Sequence, residues 1–126
     1  MIILNGNILD YFGKILITEV RDETITSWNM MLSGKMRGIT AQQIREKISV
    51  FNDEQLEVLK WLIPKIIDSS LHNLLLMIEQ NDAIKVEVDD GQKYNDIKEI
   101  SDGLEGELYT EDGWISRFSK ERYDEI

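Results

Sequence analysis

Apolar residues recur at helical spacing over most of the first eighty positions. Ile8, Phe12, Ile15, Leu16, Val20, Trp28, Met31 and Leu32 fall mostly on one stripe, which predicts a helix over about residues 8–33. Its middle, TEVRDETITS, is polar and β-branched, and admits a break near 22–24. Gly34 and Gly38 suit a helix end followed by a loop.

Two further helix starts are written in the pattern. Thr40 with Gln43 has capping-box spacing, and Ile39 and Ile44 stand at the two positions of a hydrophobic staple. They predict a short helix over about 41–50. Asn52 with Gln55 repeats the arrangement, with Phe51 and Leu56 as the staple. Asp53 and Glu54 follow in the first turn, where the helix dipole favours anions. The helix predicted from this start runs over about 53–80 and is apolar around most of its circumference, which places it among other helices. Pro64, the single proline, predicts either a kink or two helices, 53–63 and 65–80.

The period changes after Asn81. Ile84, Val86 and Val88 alternate with polar residues, the pattern of a half-buried strand. Asp89–Asp90–Gly91 supplies turn chemistry, and a return strand over 92–94 completes a small hairpin. In the stretch SDGLEGELYTEDGWISRF, Asp102 with Glu105 predicts a short helix over about 103–109. Thr110 predicts the cap of a second, with Glu111 and Asp112 in its first turn and Trp114, Ile115 and Phe118 inward. The expected fold is mainly α: a small helical bundle around a long central helix, with a short β-hairpin and a short helical C-terminal tail. It is read as one domain over 1–126, helical over 8–81, with an acidic hairpin-plus-helix segment over 82–126.

Composition agrees with one globular core: 126 residues, 42% hydrophobic and 30% charged. The absence of cysteine excludes disulfides, thiolate metal sites and a cysteine nucleophile. The start, MIILNGNILDYF, has no basic stretch and no long apolar run, so no secretory signal is expected and the reading is cytoplasmic.

Charge changes the picture more. The net charge is −10. Residues 1–81 carry 8 Lys+Arg against 10 Asp+Glu, whereas residues 82–126 carry 6 against 14. The acidity is therefore concentrated in the last third. Such a surface repels phosphate backbones and anionic lipid, which argues against nucleic-acid and membrane partners and favours a basic protein.

Candidate chemistry is sparse. His72 is the single histidine, and Asp68 lies one helical turn before it. Asp68, His72 and Glu79 share one side of the long helix and form a possible metal set with tail carboxylates; magnesium, manganese or calcium would suit them. DDGQ and EDGW lack the alternating calcium-loop pattern, and no GxGxxG, P-loop, HExxH or GxSxG motif is present. No cofactor is implied. The aromatic residues offer more. Trp28, Trp61, Trp114, Tyr109 and Tyr123 are of the types that anchor interfaces when exposed.

The stretch SSLHNLLLMIEQND, taken with SDGLEGELYTEDGWISRFS, resembles a group of short bacterial helical proteins of unknown function. The resemblance covers about residues 52–119. It implies a small helical cytoplasmic protein and transfers no catalytic residue. Some of that group carry an epimerase name, which the missing glycine fingerprint here does not support. The functional expectation is a non-enzymatic acidic binding module, of the kind that acts as an immunity protein or antitoxin against a basic protein. Its expected binding residues are Glu105, Glu107, Tyr109, Glu111, Asp112 and Trp114. One alternative is a metal-dependent enzyme using His72 with tail carboxylates. Another is a homo-oligomeric structural protein that buries apolar helix surface between copies.

Overall fold

The structure, a computed structural model, describes residues 7–121. The chain runs α1 (Ile8–Ile15), a π-helical turn (Leu16–Arg21), α2 (Asp22–Leu32), α3 (Ile39–Ile48), α4 (Asp53–Gln80), β1 (Glu87–Asp89), β2 (Tyr94–Asp96), a 3₁₀ turn (Leu104–Leu108) and α5 (Trp114–Phe118).

From α1 to α2 the backbone never leaves helical dihedrals, because the residues that join the segments, Leu16 and Asp22, are both right-handed helical. The irregularity therefore falls before 22–24 and takes the form of a widened turn rather than a break. Two threonine hydroxyls act at it, one within the turn and one just after it. Thr18 Oγ1 donates to the Lys14 carbonyl at 2.8 Å, and Thr24 Oγ1 donates to the Val20 carbonyl at 2.6 Å. Such hydroxyls compete for the carbonyls of the preceding turn and loosen the ladder there. The widened turn presents Ile17 and Arg21 inward together, with Ile25 one turn on.

α3 begins two residues earlier than the capping-box spacing predicts. Gly38, at φ +113°, turns the chain into the helix and occupies the cap position, so Thr40 is already helical and caps nothing. Ile39 stays exposed, and no staple fixes that start. The Asn52 start is as the sequence predicts. Asn52 Oδ1 accepts from the Gln55 N–H at 2.9 Å, and Gln55 Oε1 accepts from the Asn52 N–H at 2.9 Å. α4 then runs unbroken through Pro64, which is buried, so the two-helix alternative is not realised. At its far end the Lys98 ammonium donates to the carbonyls of Ile78, Asn81 and Ile84 at 2.9–3.0 Å. A cation here satisfies helix carbonyls that have no internal donor and complements the dipole.

β1 and β2 pair antiparallel in the register Glu87↔Asp96, Val88↔Asn95 and Asp89↔Tyr94. The turn between them is held by carboxylates. Asp89 Oδ1 accepts from the Gly91 N–H, and Asp90 Oδ1 accepts from the Gln92 and Lys93 N–H groups. Those backbone donors hold the Asp90 carboxyl below its ordinary pKa, with Asn95 adding to the effect.

The tail folds as a 3₁₀ turn where a helix over 103–109 is expected, with Gly103 rather than Asp102 at its start. α5 opens on Gly113, not Thr110. Glu111 and Asp112 therefore lie in the preceding turn, outside the helix. The core joins Leu16 and Ile17, the far half of α4 (Leu71, Leu75, Ile78), Ile97, and the tail residues Leu104, Leu108, Trp114 and Ile115. α4 is the axis of the fold. The hairpin and tail close over its C-terminal half, while α2 packs along it and α3 packs on α2. No described helix is long and apolar enough to cross a membrane.

Candidate functional site

The acidic tail stretch divides into inward and outward residues. Trp114 is 0% exposed. Its indole lies over Gly13, where any Cβ would overlap it, and meets the Phe12 ring edge-on at 5.9 Å. It is a core residue, inward as the tail helix pattern predicts, which corrects its place among the expected binding residues. Tyr109 is half-buried. Its hydroxyl donates to the Asp68 carbonyl at 3.4 Å, and its ring lies 5.9 Å from that of His72. Burial raises the Tyr109 pKa above the ordinary tyrosine value. The Asp68 charge adds to this and Arg21 opposes it. Glu105 has a buried oxygen, and Glu107 accepts from Ser101 Oγ at 3.3 Å. Of the six expected binding residues, only Glu111 and Asp112 are exposed.

The expected histidine chemistry loses its partner. Asp68 accepts from Arg21 Nε at 2.6 Å and from Nη2 at 3.3 Å, so its carboxylate serves the arginine rather than His72. His72 lies against the Tyr109 ring instead. Glu79 keeps one carboxyl oxygen buried in the same half of α4. Among the described residues, no group of three or more His, Cys, Asp or Glu side chains is placed to hold a metal ion.

Arg21 itself is 0% exposed and is the centre of a buried charged cluster. Its Nη1 donates to Asp22 Oδ1 at 3.1 Å, to Ser119 Oγ at 2.8 Å and to the Glu121 carbonyl at 2.9 Å. Asp22 in turn accepts from Ser119 Oγ and the Lys120 N–H. One guanidinium thus ties the widened turn, α4 and the end of the tail together. The hydrogen bonding of charge to charge suits a structural clamp.

The most exposed site geometry lies on the hairpin. Directly opposed residues in an antiparallel pair share a face. Glu87, Asp89, Tyr94 and Asp96 therefore form one face, while Val88, on the other, packs against the core. Tyr94 is 67% exposed. Glu87 faces Asp96 across the strands, and like charges so opposed destabilise a free hairpin. Lys85 lies 3.5 Å from Glu87 and is itself exposed. The legible signal was the alternation in IKVEVDD. Val86 and Val88 inward put Glu87 and Asp89 outward. What escaped sequence reasoning was that Tyr94 lands on the same face.

A second feature is apolar. α2, α3 and α4 enclose an open trough of about 790 Å³, lined by Trp28 and Leu32, Ile44 and Ile48, and Leu59 and Ile63 among others. Lys47 and Glu46 stand at its α3 side. Trp61, outside the trough, is exposed with the Lys65 ammonium 4.7 Å above its ring.

No family model matches this chain, and no curated protein or solved structure matches it significantly. The residues themselves carry the functional argument.

Proposed function

We propose that the protein is a non-enzymatic cytoplasmic binding module that captures a basic protein through its acidic hairpin and tail. An immunity protein or antitoxin that neutralises a toxin acting on nucleic acid is the concrete form. The carrying observation is the outer hairpin face: three carboxylates around an exposed tyrosine, two of them opposed like to like. A tyrosine offers a rigid aromatic anchor, and the surrounding charge steers a cationic surface onto it. A basic partner also relieves the repulsion between Glu87 and Asp96. The wider field points the same way, since residues 82–121 carry 5 Lys+Arg against 12 Asp+Glu. Proteins that bind nucleic acid carry the complementary charge. Glu111 and Asp112 are exposed on the tail, whereas Glu107 and Tyr109 are bonded internally and Glu105 has a buried carboxyl oxygen.

Calorimetric binding to purified basic nuclease toxins, at low and high salt, tests the reading. The comparison is wild type against a Glu87→Lys, Asp89→Lys, Tyr94→Ala variant. The expected result is affinity that falls with salt and drops about tenfold or more in the variant. Equal binding by wild type and variant, or no binding to any basic toxin at low salt, contradicts it.

A further inference from the structure

The trough between α2, α3 and α4 divides by chemistry. α2 lines it with Trp28 and Leu32, and α4 with Leu59, Leu62, Ile63 and Ile66, all of them apolar. Every polar lining residue belongs to α3: Thr40, Gln43, Glu46 and Lys47. Its volume of about 790 Å³ falls among small-molecule sites, which combine apolar walls with a few convergent polar groups.

α3 grades from apolar to polar across its wall. Ala41 is the buried residue of this helix, on the side that packs on α2. At about 100° per residue, Ile48 and Ile44 come next around the helix, within about 60° of Ala41. Lys47, Thr40 and Gln43 follow, gathered in an arc of about 60°. The wall therefore has isoleucine at depth and, toward the mouth, an ammonium, a hydroxyl and a carboxamide. These three side chains are exposed, and none has a hydrogen-bond or ionic partner among the described residues. Glu46 lies about 60° further round, on the flank away from Ala41. Its carboxylate accepts from Gln42 Nε2 at 3.4 Å. The mouth thus offers one unpaired cation with two neutral donors, and its one lining carboxylate is turned aside.

We propose that the trough binds an amphipathic carboxylate of the medium-chain fatty acid type, with its alkyl chain between Trp28 and Ile63 and its head group on Lys47. The apolar walls favour an alkyl chain, at about 25 cal/mol per Å² removed from water. The donors at the mouth suit a single anionic head and disfavour an ammonium on the same chain. The wall from Thr40 to Ile48 is about 12 Å long at 1.5 Å per residue, which matches one alkyl chain of medium length.

The chain as a whole is at −10, but over residues 34–48 Lys35, Arg37, Arg45 and Lys47 stand against Glu46 alone. The acidic hairpin and tail close over the other half of α4. Exposed charges are screened over about 8 Å at physiological salt, so those acids do not decide what enters here. The trough shares no residue with the hairpin face, so this proposal and the basic-partner reading can each fail alone.

Dodecanoate below its micelle concentration is the probe. Trp61→Phe leaves Trp28 as the exposed tryptophan, since Trp114 is 0% exposed. In that background dodecanoate is expected to shield Trp28 from acrylamide and to titrate as a single site by calorimetry. Dodecylammonium is expected to bind about tenfold more weakly or worse. Lys47→Glu is expected to weaken dodecanoate by about tenfold or more and to reverse the preference between the two amphiphiles. Lys47 is exposed, so circular dichroism should show an unchanged fold; if that variant misfolds, the comparison of the two amphiphiles decides. Failure of dodecanoate to shield Trp28 overturns the proposal. So does equal binding of the two amphiphiles, or an affinity for dodecanoate unchanged in a folded Lys47→Glu. A wild-type dimer in which Trp28 is shielded before any ligand is added also overturns it, because a second copy then holds the trough.

Discussion

Arg21 takes a full charge into the interior, and its environment shows what that requires. Two carboxylates, a hydroxyl and a backbone carbonyl accept from it. Removing the cation leaves Asp22 and Asp68 buried or half-buried near one another without compensation. Arg21→Met is therefore expected to cost about 3–5 kcal/mol, read as a lower urea midpoint. Arg21→Lys is expected to recover only part of this, since an ammonium cannot span both carboxylates as the planar fork does. A midpoint unchanged in Arg21→Met would show that the cluster is not a clamp. Little in TEVRDETITS distinguishes this arginine from an exposed one, because apart from neighbouring Asp22 its partners lie 47, 98 and 100 positions away. Trp114 is the converse case. Its neighbours in sequence are acids and glycines, yet Gly13 and Phe12 from the other end of the chain make its pocket.

At the scale of elements, the two helix starts with the same spacing behave differently, and the difference is local. Asn52 is extended and its side chain faces back onto the first turn; Thr40 is preceded by a glycine that starts the helix before it. Asn52→Ala is expected to cost about 1 kcal/mol of stability. Thr40→Ala is expected to change it by less than about 0.5 kcal/mol. Paired thermal melts check both, and equal losses would contradict the assignment of the cap. The bounds of α4, 53–80, were legible because capping box, dipole charges and apolar period all act within a few residues. The π turn was not. Its cause lies in packing Ile17 and Arg21 inward together, and only a mild weakening of the pattern near 18–24 hints at it.

For the whole molecule, the first helix and the last are joined across the fold by Asp10 and Arg117. Arg117 Nη1 and Nη2 donate to the two carboxyl oxygens at 3.0 and 2.8 Å. These bonds hold the Asp10 carboxyl below the ordinary aspartate value, against the opposing effect of burial. A lowered folded pKa contributes stability that is complete above the unfolded value of about 3.9 and fades as pH falls through the folded one. Both side chains are more than a third exposed, so screening limits the contribution to less than about 1 kcal/mol. Asp10→Asn is expected to be less stable than wild type at neutral pH and to converge on it as the solution is acidified. A difference that stays constant down to pH about 2 would show that the ion pair is not its source.

By itself the sequence determined the helical class, the extent of α4, the position of the hairpin and the concentration of acid in the last third. Each rests on short-range chemistry or on a simple sum over residues. Only the tertiary structure decided which aromatic residues face out. Trp114 and Tyr109 turn inward against α1 and α4, and Tyr94 turns outward among Glu87, Asp89 and Asp96. It also decided which part of an apolar helix stays bare. α4 is hydrophobic along its length, but the tail brings only Leu104, Leu108, Trp114 and Ile115 to cover it, enough for the half around Leu71, Leu75 and Ile78. Toward its start α2 packs along it, yet Val58, Trp61 and Ile66 stay exposed, because burial depends on what arrives from elsewhere in the chain, and hydrophobic pattern alone carries no record of that supply.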